Sequence, residues 1–145
     1  MRSLVDENFD PSVAAAMHEL GRGRGDGFDH IGAHAPGMDD GDIPQLCRRL
    51  ECDSLITINV RDFGAKKVLY EALLAAGVSV VVMRHTRGRL TAAVQLGVLA
   101  LNYDRVRRSL ADGVAKLIVA TISELRVRDL EELITEVGQQ PRRLP

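Results

Sequence analysis

Apolar and polar positions change their spacing repeatedly along this chain. Short apolar runs alternate with longer stretches in which apolar residues recur every three or four positions. The first pattern predicts strands and the second amphipathic helices. Strands are expected at 2–5 (RSLV), around 28–33, at 54–57 (SLIT), at 78–83 (VSVVVM) and at 115–121, with a short edge strand at 126–128. The run at 78–83 is almost continuously apolar, as a parallel strand buried on both faces should be. Helices are expected at 11–20, 43–50, 65–76, 90–110 and 130–137.

Punctuation residues sharpen these boundaries. Asp10 followed by Pro11 is an N-cap followed by a first helical position. Gly21 and Gly77 are expected to stop the helices before them. The segment GRGRGDG at 21–27 reads as a flexible loop, because it fits neither a dinucleotide nor a P-loop fingerprint. HAPGMDDGD at 34–42 reads as another loop, and the tail after 137 as a frayed end. Strands alternate with helices throughout. The expected class is therefore α/β, a three-layer sandwich around a mainly parallel sheet. No repeat or linker interrupts it, so residues 1–145 are expected to form one domain.

Composition narrows the function. Apolar residues at 46% suffice for a core and exclude a disordered chain. Aromatics are only 3% and tryptophan is absent, which argues against a nucleic-acid surface built on ring stacking. No apolar run reaches the length of a membrane span, so no membrane partner is expected. Asp6 and Glu7 stand where a secretion signal would need apolar residues. Cys47 and Cys52 lack partners at zinc-ligand spacing, which points to a reducing cytoplasm.

The net charge of −1 conceals an asymmetry. Residues 1–62 hold 12 acids against 6 bases, and residues 63–145 hold 8 acids against 13 bases. Two readings stand: solvated helix faces, or an acidic cation site beside a basic surface for a polyanion. The placement of the acids bears on the choice. Asp6 and Glu7 follow the first strand, Asn59 and Asp62 follow the third, and Asp39, Asp40 and Asp42 precede the helix that leads into it. Functional groups of open α/β sheets gather beyond the carboxyl ends of strands. If the first and third strands are neighbours, these carboxylates meet. Their mutual repulsion is relieved by a hard divalent cation such as Mg²⁺ or Mn²⁺. Against this, Asp42 also suits an N-cap, and Asp26, Asp29 and Asp53 read as solvated.

At these positions the sequence resembles the PIN-like nucleases, in the subgroup related to VapC-type toxins and the Mut7-C domain. The resemblance rests on Leu4-Val5-Asp6-Glu7-Asn8, on Asp40 three residues before Ile43, on Thr57 with Asn59 and Asp62-Phe63-Gly64, and on the strand ending at Met83 followed by Arg84. It covers about residues 2–84, and the helix-strand-helix extension at 90–137 lies outside it. It implies a PIN-like domain with metal-dependent endoribonuclease activity, often as the toxin of a type II toxin–antitoxin pair, with RNA as substrate and an antitoxin protein as partner. Carried over by position, Asp6, Asp40 and Asp62 would be metal ligands for Mg²⁺ or Mn²⁺. Asn59 would be an outer ligand, and Thr57 would hold a ligand or a metal-bound water. Two departures stand out: Asn59 where the family has an Asp, and one extra residue before Asp62.

Other features keep two readings each. Lys66 and Lys67, and Arg84, Arg87 and Arg89, are candidate contacts for RNA phosphates or ordinary solvated side chains. The stripe Val94, Val98, Leu101 is core or the seam of a homodimer. His18, His30, His34 and His85 lack metalloprotease spacing, and no serine or cysteine has an evident base. With Asn59 marking a decayed site, the chain would instead be a catalytically degenerate PIN-like binding module acting through a protein partner. A receiver-like signalling domain would use Asp6 and Glu7 as its metal pair, but the strand at 115–121 is not followed by the lysine such a domain needs.

Overall fold

A computed structural model describes residues 1–58, 67–84 and 90–139 of the chain. Among these lie six strands and five α-helices, in the order β1 (Arg2–Val5), α1 (Pro11–Arg22), β2 (Gly27–His30), α2 (Ile43–Arg49), β3 (Ser54–Thr57), α3 (Lys67–Ala75), β4 (Ser79–Met83), α4 (Ala92–Ser109), β5 (Lys116–Ala120), β6 (Leu125–Asp129) and α5 (Leu130–Gln139). The strands form one sheet in the order β2-β1-β3-β4-β5-β6. The first five run parallel and β6 pairs antiparallel with β5.

Alternation along each strand divides the core into two. Leu4, Leu55, Val80, Val82 and Leu117 face a cluster that includes Ile43, Leu46 and Cys47 from α2, Tyr70 and Leu73 from α3, and Leu130 and Ile134 from α5. Val5, Ile56, Val81, Met83 and Ile118 face the other way, onto Val13 and Met17 of α1 and Val98, Leu99 and Val106 of α4. A period of two in the strands thus places helices on both faces of the sheet. β3 and β4 are buried along their whole length, and the three consecutive valines of β4 reflect burial on both faces of the sheet.

Local chemistry fixes the helix starts. The Asp10 carboxylate accepts from the Ser12 backbone N–H at 2.9 Å, and Pro11 opens α1. Thr91 caps α4 through Val94 N–H. Asp42 occupies the N-cap position of α2 but makes no side-chain cap bond. The segment expected as a strand at 28–33 is a strand only to His30 and then a one-turn 3₁₀ helix, Ile31–Ala33. His30 drives that change. Its Nδ1 accepts from Gly32 N–H at 3.1 Å and its Nε2 reaches Phe9 O at 3.0 Å. A second 3₁₀ turn, Asp40–Asp42, lies in the segment expected to be all loop.

Two expectations are corrected. Gly21 does not stop α1, which runs on to Arg22. A β-carbon on Gly21 would sit 3.0 Å from Asp26 Cβ and 3.3 Å from the Phe28 ring. Glycine is there to let α1 approach β2, not to end the helix. Nor is Asp26 solvated. It is 3% exposed, and its carboxylate meets the Met1 amine at 2.7 Å, Arg107 Nε at 2.9 Å and the Tyr103 hydroxyl. Burial alone would raise this carboxyl's pKa, but the donors outweigh burial and hold it below the ordinary value. Burial and the adjacent Asp26 carboxylate push Tyr103 up to about 12. The glycine-rich loop beside it is tied as well: Arg24 pairs with Asp104 and lies 5.3 Å from the centre of the Tyr103 ring. Asp29 is half-buried and paired with Arg2, whereas Asp53 stays largely exposed.

Both cysteines are free and buried. Burial lifts Cys47 to about 12 and Cys52 to about 11, so both stay protonated near neutrality. In the native protein a thiol reagent such as iodoacetamide should label neither at pH 8, and after unfolding it should label both, as read by mass spectrometry. Asp26→Asn removes the buried carboxylate that pairs with the Met1 amine, Tyr103 and Arg107, and should cost about 3 kcal/mol in urea unfolding at pH 7. Because the folded carboxyl titrates below its ordinary 3.8, its stabilisation is complete above that pH and is lost as pH falls through the folded value. The variant should therefore lose less stability than the wild type on acidification below pH 3.8.

Candidate active site

The chain reverses direction across the sheet between β1 and β3. From β1 it passes through α1 on one face to β2, and then through α2 on the other face to β3. In a doubly wound sheet this switch point leaves a crevice outside the carboxyl ends of the two strands. The sequence condition for converging acids is met here: β1 and β3 pair directly, with Leu4 opposite Leu55 and Val5 opposite Ile56.

Asp6 is the first residue beyond β1. Its backbone N–H donates to Ile56 O at 2.9 Å, extending the ladder by one rung. Thr57 is the last residue of β3, 5% exposed, and its Oγ1 donates to Asp6 Oδ2 at 2.7 Å. Asn8 Nδ2 donates to the same oxygen at 3.1 Å. No described residue donates to Asp6 Oδ1. The Thr57 hydroxyl thus orients the half-buried Asp6 carboxylate.

Asp40 comes from a different part of the chain. It opens the 3₁₀ turn ahead of α2 and lines the same small crevice as Asp6 and Thr57, with Ile43, Leu55, Leu69 and Tyr70 as the remaining wall. Of the three acids in that segment, Asp42 instead lines a separate hollow beside α2 with Gln45, Arg48 and Arg49. Asp39 stands at the N-cap of the 3₁₀ turn with no side-chain cap bond. Tyr70 is the wall residue that sequence reading missed. It is 1% exposed, and burial, with the nearby Asp40 carboxylate, raises its pKa. Its spacing in α3 marks it only as a core residue; nothing in the pattern reveals that its ring lies under Asp40.

Glu7 diverges from Asp6 as alternation requires. It is exposed, and its Oε1 accepts from Gly37 N–H at 2.5 Å. Arg84 follows β4, exposed, with its N–H bonded to Ala120 O at 2.9 Å. Lys67 begins α3 and pairs with Glu71 at 3.5 Å. Asn59, Asp62, Lys66, Arg87 and Arg89 lie outside the described residues. Of the stripe on α4, Val98 is core, Val94 is half-buried and Leu101 is 64% exposed.

Asp6, Asp40 and Thr57 form an all-oxygen donor set, the chemistry that hard divalent cations take. Among the described residues no group of three or more His, Cys, Asp or Glu stands at ligand spacing. Among the described residues no histidine lines this crevice. His30 is engaged through both ring nitrogens, and His18 Nδ1 accepts from Phe28 N–H at 3.3 Å. Among the described residues no helix is long and apolar enough to cross a membrane. Compared with protein-family models, with curated proteins and with solved structures, the chain has no significant match.

Proposed function

We propose that this chain is a PIN-like metal-dependent endoribonuclease that hydrolyses RNA phosphodiester bonds, with Mg²⁺ or Mn²⁺ held at the switch-point crevice. The observation that carries the reading is the meeting of Asp6 and Asp40, thirty-four positions apart, in one crevice beyond the carboxyl ends of β1 and β3, with Thr57 bonded to Asp6. A hard divalent cation offsets the mutual repulsion of carboxylates that share a crevice. Asp62 and Asn59, which follow β3 in sequence, are the proposed further donors.

Within that reading each residue has a task. Thr57 and Asn8 both bond Asp6 Oδ2, so Oδ1 keeps its lone pairs for the ion. Asp40 supplies the second charge from the opposite wall. Leu55, Leu69 and Ile43 make the crevice floor apolar, which lowers the local dielectric and strengthens attraction between carboxylates and cation. When bound, the ion would polarise the scissile phosphodiester and acidify a bound water. Arg84, just beyond the carboxyl end of β4, and Lys66, Lys67, Arg87 and Arg89 are the proposed contacts for RNA phosphates.

Asn59 favours one rival. With a neutral amide where the related nucleases carry an acid, the chain would be a degenerate PIN-like module that binds a protein partner without cleaving RNA. Calorimetric titration with Mn²⁺ separates the two: heat and a thermal shift support the nuclease, and neither supports the module.

The nuclease reading makes two expectations concrete. Asp6→Ala and Asp62→Asn should each lower Mn²⁺-dependent cleavage of single-stranded RNA by at least about 100-fold, with unchanged circular dichroism; full cleavage in both variants ends the reading. If the chain is the toxin of a toxin–antitoxin pair, its expression should arrest bacterial growth, and Asp6→Ala should restore growth at equal protein levels.

A further inference from the structure

The loop that delivers Asp40 is tied to the strand that delivers Asp6. Residues 34–39 leave the 3₁₀ turn after β2 and pass to the turn that begins at Asp40. Glu7, next to Asp6 in the chain, accepts from Gly37 N–H at 2.5 Å. A bond to an ionised carboxylate is short and stronger than a neutral one. Gly37 has φ +68°, a conformation that a residue with a β-carbon adopts only with strain. Two further anchors flank it: Met38 packs on the core, and Asp42 N–H bonds Asp39 O at 2.9 Å. Among the described residues, the bond from Glu7 is the one that links this segment directly to the end of β1.

We infer that Glu7 is a positioning residue: its carboxylate clamps Gly37 and so holds the segment that brings Asp40 into the crevice with Asp6. The inference rests on the nuclease reading above. Chain alternation explains how adjacent acids take different tasks. Asp6 joins the crevice and Glu7 turns to the loop, so one strand end fixes both walls of the site. Partners that orient a metal ligand without touching the metal commonly set its affinity by about 10- to 100-fold.

The test uses the full chain as wild type, Glu7→Ala and Glu7→Gln. Gln keeps a carbonyl acceptor for Gly37 and loses the charge. Two readouts are needed: amide exchange at Gly37 by NMR, and affinity for Mn²⁺ alone by calorimetry. The clamp predicts faster Gly37 exchange and about 10-fold weaker Mn²⁺ binding in Glu7→Ala, with Glu7→Gln between the wild type and Glu7→Ala in both. Equal Gly37 exchange in all three proteins overturns the clamp. So does Glu7→Gln weakening Mn²⁺ as much as Glu7→Ala while Gly37 stays protected, since the charge would then act on the ion directly. A wild type that binds no Mn²⁺ overturns the nuclease reading and the metal-positioning role together. The Gly37 exchange still reports separately whether the bond forms, so the two failures are distinguishable.

Discussion

Parallel pairing of β1 with β3 places Asp6 beside Thr57, and the geometry of the candidate site follows from that register. Asp6 N–H reaches Ile56 O, so the carboxylate begins where the ladder ends. Thr57 Oγ1 then lies 2.7 Å from Asp6 Oδ2. Slipping the register by one residue would turn Val5 and Asp6 to opposite faces and send a carboxylate into one of the apolar layers. The two-sided burial of β1, with Leu4 on one core and Val5 on the other, penalises any such slip. Hydrophobic packing on both faces thereby fixes a polar site at the sheet edge.

A second polar cluster secures the opposite end of the same strands. Asp26 stands just ahead of β2 and draws the Met1 amine, Arg107 and the Tyr103 hydroxyl together under Phe28. Strands β1 and β2 are therefore held at their amino ends by a buried ion cluster, and α4 is docked by the same contacts. Such clusters are sensitive to loss of a single member, because the remaining charges are left without compensation. The two polar centres differ in kind. Around Asp26 the charges of opposite sign are matched within the protein. At the crevice Asp6 and Asp40 are two acids of like sign, and the Asp6 carboxylate is held by neutral donors, Thr57 and Asn8.

Periodicity made most of the sheet legible, because each central strand had a pure pattern. SLIT at 54–57 and the apolar run ending at Met83 lie where their sequences suggested; burial on both faces fills the middle of each with Val, Ile or Leu, while Ser54, Thr57 and Ser79 are buried at the strand ends. Asp10 and Pro11 gave the start of α1 through the chemistry of an exposed cap. Where the reading failed, a tertiary contact overrode a local rule. Gly21 looked like a helix stop and is instead the spacer that lets α1 approach Phe28. Asp26, in a glycine-rich segment, looked solvated; its partners come from residue 1 and from α4, too far along the chain for any local pattern to show. At the site, Asp6, Thr57 and Asp40 were legible as residue types at strand ends and helix starts. Tyr70 was not, because a buried tyrosine and a site-lining tyrosine have the same spacing in a helix.

The geometry also bears on what Asn59 would mean for a cation site. Each carboxylate added to a crevice raises cation affinity and also raises the repulsion that the empty fold must bear. With Asp6 braced by two donors on one oxygen, part of that repulsion is already met by hydrogen bonding. A neutral amide at 59 lowers the charge that gathers beyond β3 without removing an oxygen donor. The balance then shifts toward a fold that tolerates the empty state and a site that takes its ion less tightly, leaving more of the coordination to water and to substrate phosphate, as Mg²⁺ sites commonly do. In such a site precise placement of the remaining carboxylates matters more than their number, and that gives the bond between Glu7 and Gly37 its importance.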